Sequence, residues 1–359
     1  MSLHVEVSHS VGKEWNEKLL ENEYSTTYQT KEWCELYESS FASIPVFISV
    51  YSADGKIVGQ LSSLIHKDYF WRDSNFSGLI GKKLDLGSYL HWISGPIIHD
   101  ISKQKEILSN IFNSLDSVAR KYNVSMIRGS LLPSLSFSND LLIKLNYSPQ
   151  EWSTYVINLN KSEQQMYDSL DKSTRYDIRK TKNSNFEFEI VNKKSSWMEY
   201  IEMKLDARKR VKDNVQKKPL FYEKHWETLQ RTGKAKLFLA KCNHEPVSGI
   251  LCFTFNKNIV QYGVVTSGSS SLAGSFLTWN IIKWAIDEKF PYYDMGGVNP
   301  HPTSKKEKNI DFFKSKWGGQ KVTYPVYTKM LNKRKMQISK ILKNPNIIER
   351  KLKNIFHMN

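Results

Sequence analysis

Residues 292–319 read YYDMGGVNPHPTSKKEKNIDFFKSKWGG, and how this stretch must fold decides the reading of the whole chain. Aromatic and β-favouring residues open it, Gly296 and Gly297 break it, and Asn299, Pro300 and Pro302 lead into a lysine-rich run. That pattern predicts a strand, a sharp turn and a solvated loop over 305–308. Asn309 or Asp311 is expected to cap a short helix carrying Phe312, Phe313, Lys314 and Trp317. Gly318 and Gly319 close it where a left-handed residue is wanted. A further strand, KVTYPVYTKM, begins at Lys321. Lys314 thus falls at the middle of a helix whose apolar face must be buried. A lysine there can run its stem over the aromatic rings and deliver its ammonium to water. Alternatively, a cation fixed beside a hydrophobic wall stabilises the negative charge that develops on a carbonyl oxygen during acyl transfer.

Upstream, 28–40 has Trp33, Leu36 and Tyr37 at helical spacing with Thr30 as a cap. PVFISVY and KIVGQLSSLIH flank SADG, an Asp-Gly hairpin signal. LGSYLHWISGPII places Tyr89 and Trp92 just before Gly95-Pro96, where each can pack or face a substrate. Residues 105–122 predict an amphipathic helix, with Ile107, Leu108, Ile111, Phe112, Leu115 and Val118 on one face. The strand VSMIRGSLLP follows.

A second unit is expected to start near Pro149 with the strand EWSTYVINL. In DKSTRYDIRKTKNSNFEFEIV, Arg175, Arg179 and Lys182 share one helical face. The next helix ends in Arg208, Lys209 and Arg210, and His225, on the helix after it, reads as packed or capped. AKLFLAKC, VSGILCFTF and IVQYGVVTS, joined by the turns NHEP and NKN, predict an antiparallel meander, with Tyr262 on its last strand.

A YD-x-GG strand end, an Asn-Pro turn, F-K-x-x-W-G-G and a closing strand with Tyr and Pro together resemble the C-terminal end of the FemABX family. The R-x-x-I-R run from Arg175 and the Gly-Pro strand end at 95–96 are similar to family segments too. These are transferases that attach amino acids from aminoacyl-tRNA to peptidoglycan precursors. Related GNAT-like acyltransferases accompany surface-polysaccharide enzymes. The resemblance implies an α/β (α+β) architecture of two tandem GNAT-like domains, each a mixed, largely antiparallel sheet flanked by helices. The domains would be 1–150 and 151–328, with a basic helical tail over 329–359. It also implies that Phe313 and Lys314 stand at the reaction centre, that Arg175, Arg179 and Arg208 bind phosphates, and that Tyr262 lines the acceptor site. Tyr89 and Trp92 join them as substrate-binding candidates. Asp294, at the strand end, is a proton-acceptor candidate that could equally cap the Gly296-Gly297 turn. The segment around Ser270, Gly274 and Ser275 lacks the Q/R-x-x-G-x-G/A of CoA-dependent GNAT proteins.

The chain has 359 residues, 52 basic and 36 acidic, for a formal charge of +16. Such a surplus favours polyanions: tRNA, a nucleotide-linked or lipid-linked glycan precursor, or the inner face of an anionic membrane. Cys34, Cys242 and Cys252 are too few and too irregular for a disulfide framework or a structural metal site. No bound cofactor or metal is expected. The N-terminal sequence shows no signal segment and no run is apolar enough to span a bilayer, so the expected place is the cytoplasm, with the tail free to touch a membrane or pack back. The expected activity is transfer of an aminoacyl group from aminoacyl-tRNA to an amine of a cell-wall precursor or envelope glycan. The alternatives are acyl-CoA-dependent N-acylation of an amino sugar and non-catalytic RNA binding.

Overall fold

A computed structural model describes residues 3–67, 86–132, 139–210, 219–267 and 271–343. In chain order its elements begin with β1 (His4–Ser8), α1 (Glu14–Leu19), α2 (Lys31–Phe41), β2 (Ile44–Tyr51), β3 (Ile57–His66), β4 (Tyr89–Trp92) and β5 (Ile97–Ile98). They continue with α3 (Gln104–Lys121), β6 (Met126–Ser130), α4 (Asn139–Lys144), β7 (Ser148–Asn158), α5 (Glu163–Asp168), α6 (Lys172–Thr181), β8 (Phe186–Ile190) and α7 (Lys194–Arg210). The last set is α8 (Pro219–His225), β9 (Ala235–Cys242), β10 (Glu245–Phe255), β11 (Asn258–Thr266), α9 (Ser271–Asp287), β12 (Tyr292–Val298), α10 (Lys305–Ser315), β13 (Gln320–Met330) and α11 (Lys333–Lys343).

The chain divides into two units, one of Met1–Lys18, Tyr37–Gln150 and Val326–Asn359, the other of Leu19–Leu36 and Glu151–Pro325. The sequence placed 19–36 in the first domain and 326–328 in the second. Side-chain bonds account for both differences. In the second unit, Thr27 Oγ1 donates to Lys234 O at 2.9 Å, Asn256 Nδ2 to Asn22 O at 2.7 Å, and Glu32 pairs with Lys234 at 3.1 Å. In the first, the end of β13 pairs antiparallel with β6 from Val326↔Ser130 to Met330↔Met126. Lys329 donates to the buried Asp116 of α3, which also accepts from Tyr147 at 3.0 Å. The helical part of the tail that is described packs Met336 against Tyr89 and Met126, also in the first unit.

Each unit repeats one plan. In the first, β1, β2, β3 and β4 are antiparallel neighbours, and α3 crosses over to put β6 parallel to β4. In the second, β8, β9, β10 and β11 are antiparallel neighbours, and α9 crosses over to put β12 parallel to β11. The predicted mixed sheets flanked by helices are therefore present. The second core gathers Ile157, Phe238, Ile250, Leu277, Ile281, Tyr293 and Trp317, which α9 covers with a face apolar enough to be buried from end to end.

The two parallel pairs end differently. Where β4 and β6 finish, the chain stitches them together: Gly95 N donates to Ser130 O at 3.1 Å, Ser94 N to Ser130 Oγ at 2.9 Å, and the Trp92 indole to Ser130 O at 3.0 Å. β11 and β12 pair only over Asn258↔Tyr292, Ile259↔Tyr293 and Val260↔Asp294, and then part.

Candidate active site

The parting of β11 and β12 has a local cause in each strand. On β12, Asp294 pairs with Val156 and Gly297 with Thr154, so Met295 and Gly296 together oppose the single residue Tyr155. Gly296 takes φ +80°, and a Cβ there would stand 2.5 Å from Gln261 O, so only glycine fits. On β11, Gln261 pairs with Cys252 and Gly263 with Leu251, leaving Tyr262 as a bulge. Regular alternation sends neighbouring side chains to opposite faces; the bulge brings Gln261 and Tyr262 to one cavity.

That cavity holds about 760 Å³ and lies within the second unit. Gln261, Tyr262, Gly263 and Val264 line it from β11, Met295, Gly296 and Gly297 from β12, and Lys305, Lys306, Asn309, Ile310, Phe313 and Lys314 from α10. The helix starts earlier than the sequence suggested. Lys305, Lys306 and Lys308 are helical, and neither Asn309 nor Asp311 is the cap. Ser304 is, in a capping box: its Oγ accepts from Glu307 N at 3.2 Å while Glu307 accepts from Ser304 N at 3.0 Å. Glu307 also accepts from Thr303 N and Asn299 Nδ2, each at 3.1 Å, and these donors hold its carboxyl down to about 2. The cap thus joins the Asn-Pro turn to the helix and aims its first turn at the cavity. At the other end Gly318, with φ +70°, takes the left-handed position expected of it.

Lys314 is 8% exposed, so its ammonium does not run out to water. Nζ donates to Gly296 O at 2.8 Å and Gly297 O at 3.2 Å, the two carbonyls exposed by the turn. An ammonium has three donors, and the third is left for the cavity. Burial lowers the Lys314 pKa to about 8, with Asp294 and Asp311 pulling the other way. Asp294 is displaced oppositely, upward by burial, against hydrogen bonds from Thr154 and Gly296 N and the charge of Lys314. Its Oδ1 accepts from Gly296 N at 2.7 Å and from Thr154 Oγ1. Asp294 therefore caps the glycine turn and faces Lys314 electrostatically without lining the cavity. Its role is to shape the carbonyl pair and keep the ammonium charged.

Phe313 and Tyr262 line the cavity. Phe313 packs edge-on to Trp317 with centroids 5.9 Å apart, and Tyr262 lies on Phe253 at 4.4 Å. The basic and first-unit candidates go elsewhere. Arg175 donates to Asp168 O at 2.8 Å, satisfying the last carbonyl of α5, and Arg179 is exposed on α6. Arg208 is half-buried on α7, where its charge acts on the buried hydroxyls of Tyr200 and Tyr222. None of the three lines the cavity. Trp92 is 1% exposed, its indole given to Gly95 O and Ser130 O, and Tyr89 stacks on His66 at 4.7 Å; burial in the first core closes both to a substrate. His225 is buried and stacked on Trp197 at 5.1 Å, as its helix suggested. Reading the sequence missed Gln261, whose signal was an amide inside the apolar strand IVQYGVV, and Lys305 and Lys306, hidden by the expectation of a loop.

No group of three or more histidine, cysteine or carboxylate side chains among the described residues could hold a metal ion, and no described helix is long and apolar enough to cross a membrane.

Residues 169–307 match the family model described as an acetyltransferase (GNAT) domain. The chain carries a GNAT acyltransferase domain. Lys314 and Phe313 fall just beyond the matched segment, on the helix whose first turn it includes. No curated protein matches in sequence. Among solved structures, FemX superposes with a TM-score of 0.73 at 15% identity, covering 93% of this chain and 99% of that one. A tandem GNAT protein from the clavulanic acid biosynthesis pathway gives 0.58 at 10% identity, covering 92% and 98%. L-PGS from Bacillus licheniformis gives 0.53 at 12%, covering 92% and 96%. These likenesses show the fold, a tandem GNAT arrangement.

Proposed function

We propose that the chain transfers an aminoacyl group from aminoacyl-tRNA to a primary amine of a cell-wall precursor or envelope glycan, in the cavity between β11, β12 and α10. The observation that carries this reading is Lys314: a buried ammonium, fixed by two carbonyls, with one N–H to spare at the wall of a cavity. An ester needs no protein nucleophile. The acceptor nitrogen attacks the ester carbonyl, a C–N bond forms, the C–O bond to the ribose breaks, and the proton lost by the amine ends on the departing hydroxyl. Negative charge passes through the carbonyl oxygen and then the leaving oxygen. A preorganised ammonium beside either one lowers the barrier without reorganisation. Phe313, Ile310, Met295 and Val264 give the acyl group an apolar wall, and Lys305 and Lys306 offer charge to a donor phosphate.

The sequence between β11 and α9, without the glycine pattern that cradles a CoA pyrophosphate, favours tRNA as donor. Mass spectrometry of envelope precursors from cells with and without this protein tests the reading. A mass gain equal to an amino-acid residue is expected. A simple acyl mass moves the donor to acyl-CoA, and unchanged precursors overturn the proposal.

A further inference from the structure

Lys314 is one donor at the cavity; Gln261 supplies the geometry for another. Its side chain is 8% exposed and lines the same space. The carboxamide is not free to turn. Tyr293, fully buried on β12, donates its hydroxyl to Gln261 Oε1 at 2.7 Å. Among the described residues nothing accepts from Nε2. The buried Cys252, which pairs with Gln261 across β10 and β11, lies beside the same hydroxyl. A flipped amide would set N–H against O–H. The backbone carbonyl of Gln261 and Lys314 Nζ come within 2.5 and 3.7 Å of one point, the position of a Cβ on Gly296, so the Gln261 backbone runs beside the ammonium.

We infer that Gln261 is a substrate-binding residue: Tyr293 locks its carboxamide with the NH2 group facing the cavity, where it donates to the acyl carbonyl oxygen of the donor alongside Lys314. Tyr293 is then a positioning residue that acts through Gln261. The bulge at Tyr262 has a purpose in this arrangement, since it turns a strand amide into the pocket without breaking the ladder on either side.

The inference rests on the transferase reading, and the test separates the two. Two unreactive probes carry a carbonyl in the donor's place: puromycin, an amide analogue of an aminoacylated nucleotide, and acetonyl-CoA, a ketone analogue of acetyl-CoA. Binding is measured by calorimetry for the full chain, and the Gln261 side-chain amide is followed by NMR after [15N]glutamine labelling. One probe is expected to bind and shift the Gln261 amide signals. Gln261→Leu should weaken that binding about tenfold, as loss of one buried donor does. Gln261→Glu, which keeps the Tyr293 bond but turns an oxygen toward the carbonyl, should weaken it further. Tyr293→Phe should weaken it by a smaller factor and broaden the Gln261 signals, and the double variant Gln261→Leu/Tyr293→Phe should bind no worse than Gln261→Leu alone. Equal binding by wild type and Gln261→Leu overturns the assignment of Gln261 while leaving the transferase reading in place. Multiplying effects in the double variant overturn the role given to Tyr293. If neither probe binds the wild type, the transferase reading falls and the assignment with it.

Discussion

At the scale of the residue, the site depends on a charge kept where charges are costly. Lys314 is buried at the wall of a cavity that Phe313 and Met295 also line, and burial lowers its pKa to about 8 while Asp294 and Asp311 pull it back up. If the ammonium stabilises developing negative charge, kcat/KM should fall as pH rises through about 8; a lysine acting as a base would make it rise through the same range. Stability should move the other way. The folded pKa lies below the ordinary lysine value of 10.5, so between about 8 and 10.5 the unfolded chain binds more protons and wild type gains stability as pH rises. Lys314→Met should lack that gain, which urea unfolding at pH 7.5 and 10 would reveal. Gly296 is the second critical residue. A side chain there would meet Gln261 O at 2.5 Å on a backbone with φ +80°, so Gly296→Ala should cost about 1–3 kcal/mol and most of the activity. An unfolding midpoint equal to that of the wild type would show that the turn is not strained as described.

At the scale of the element, legibility followed how local the signal was. The meander β9–β11, the hairpin β2–β3 and helix α3 were readable because period and turn residues lie within each segment. The start of α10 was also written locally, as Ser304-x-x-Glu307, but Lys305, Lys306 and Lys308 follow Asn299, Pro300 and Pro302 and were read as a continuation of that solvated turn. The parting of β11 from β12 could not be read, because it arises from two bulges whose register is set by neighbouring strands. Nor could the fate of Arg175: a basic helical face suggests a ligand, whereas the Asp168 carbonyl of α5 that claims its guanidinium becomes visible only in three dimensions. The end of β13 is anchored by the Lys329–Asp116 pair, with Tyr147 as the third partner. Asp116 is 5% exposed, so Asp116→Ala leaves an ammonium buried without its partner. A loss of about 3–5 kcal/mol is expected by chemical denaturation; a loss below 1 kcal/mol would mean that the strand is held by its ladder alone.

At the scale of the whole molecule, one plan occurs twice, and among the described residues the second unit has its parallel pair part at the end while the first has its pair bonded together. Ser130 closes the first with three hydrogen bonds; Gly296 and Lys314 hold the second open. The cavity at the parting of β11 and β12 predicts an acyl-donor site in the second unit. The formal charge of +16 has its own consequence. If tRNA is the donor, its affinity should fall by about tenfold or more between 50 and 200 mM salt, as phosphate contacts release counterions; an affinity that ignores salt would point to an uncharged donor. The account stands or falls on Lys314 at the cavity wall. The most direct measurement is the rate of transfer from total tRNA charged with labelled amino acids to a nucleotide-linked peptidoglycan precursor, by wild type and by Lys314→Met of verified fold. The prediction is a fall in kcat/KM of about 10²–10³ with little change in tRNA affinity. Transfer by Lys314→Met at the wild-type rate would contradict it.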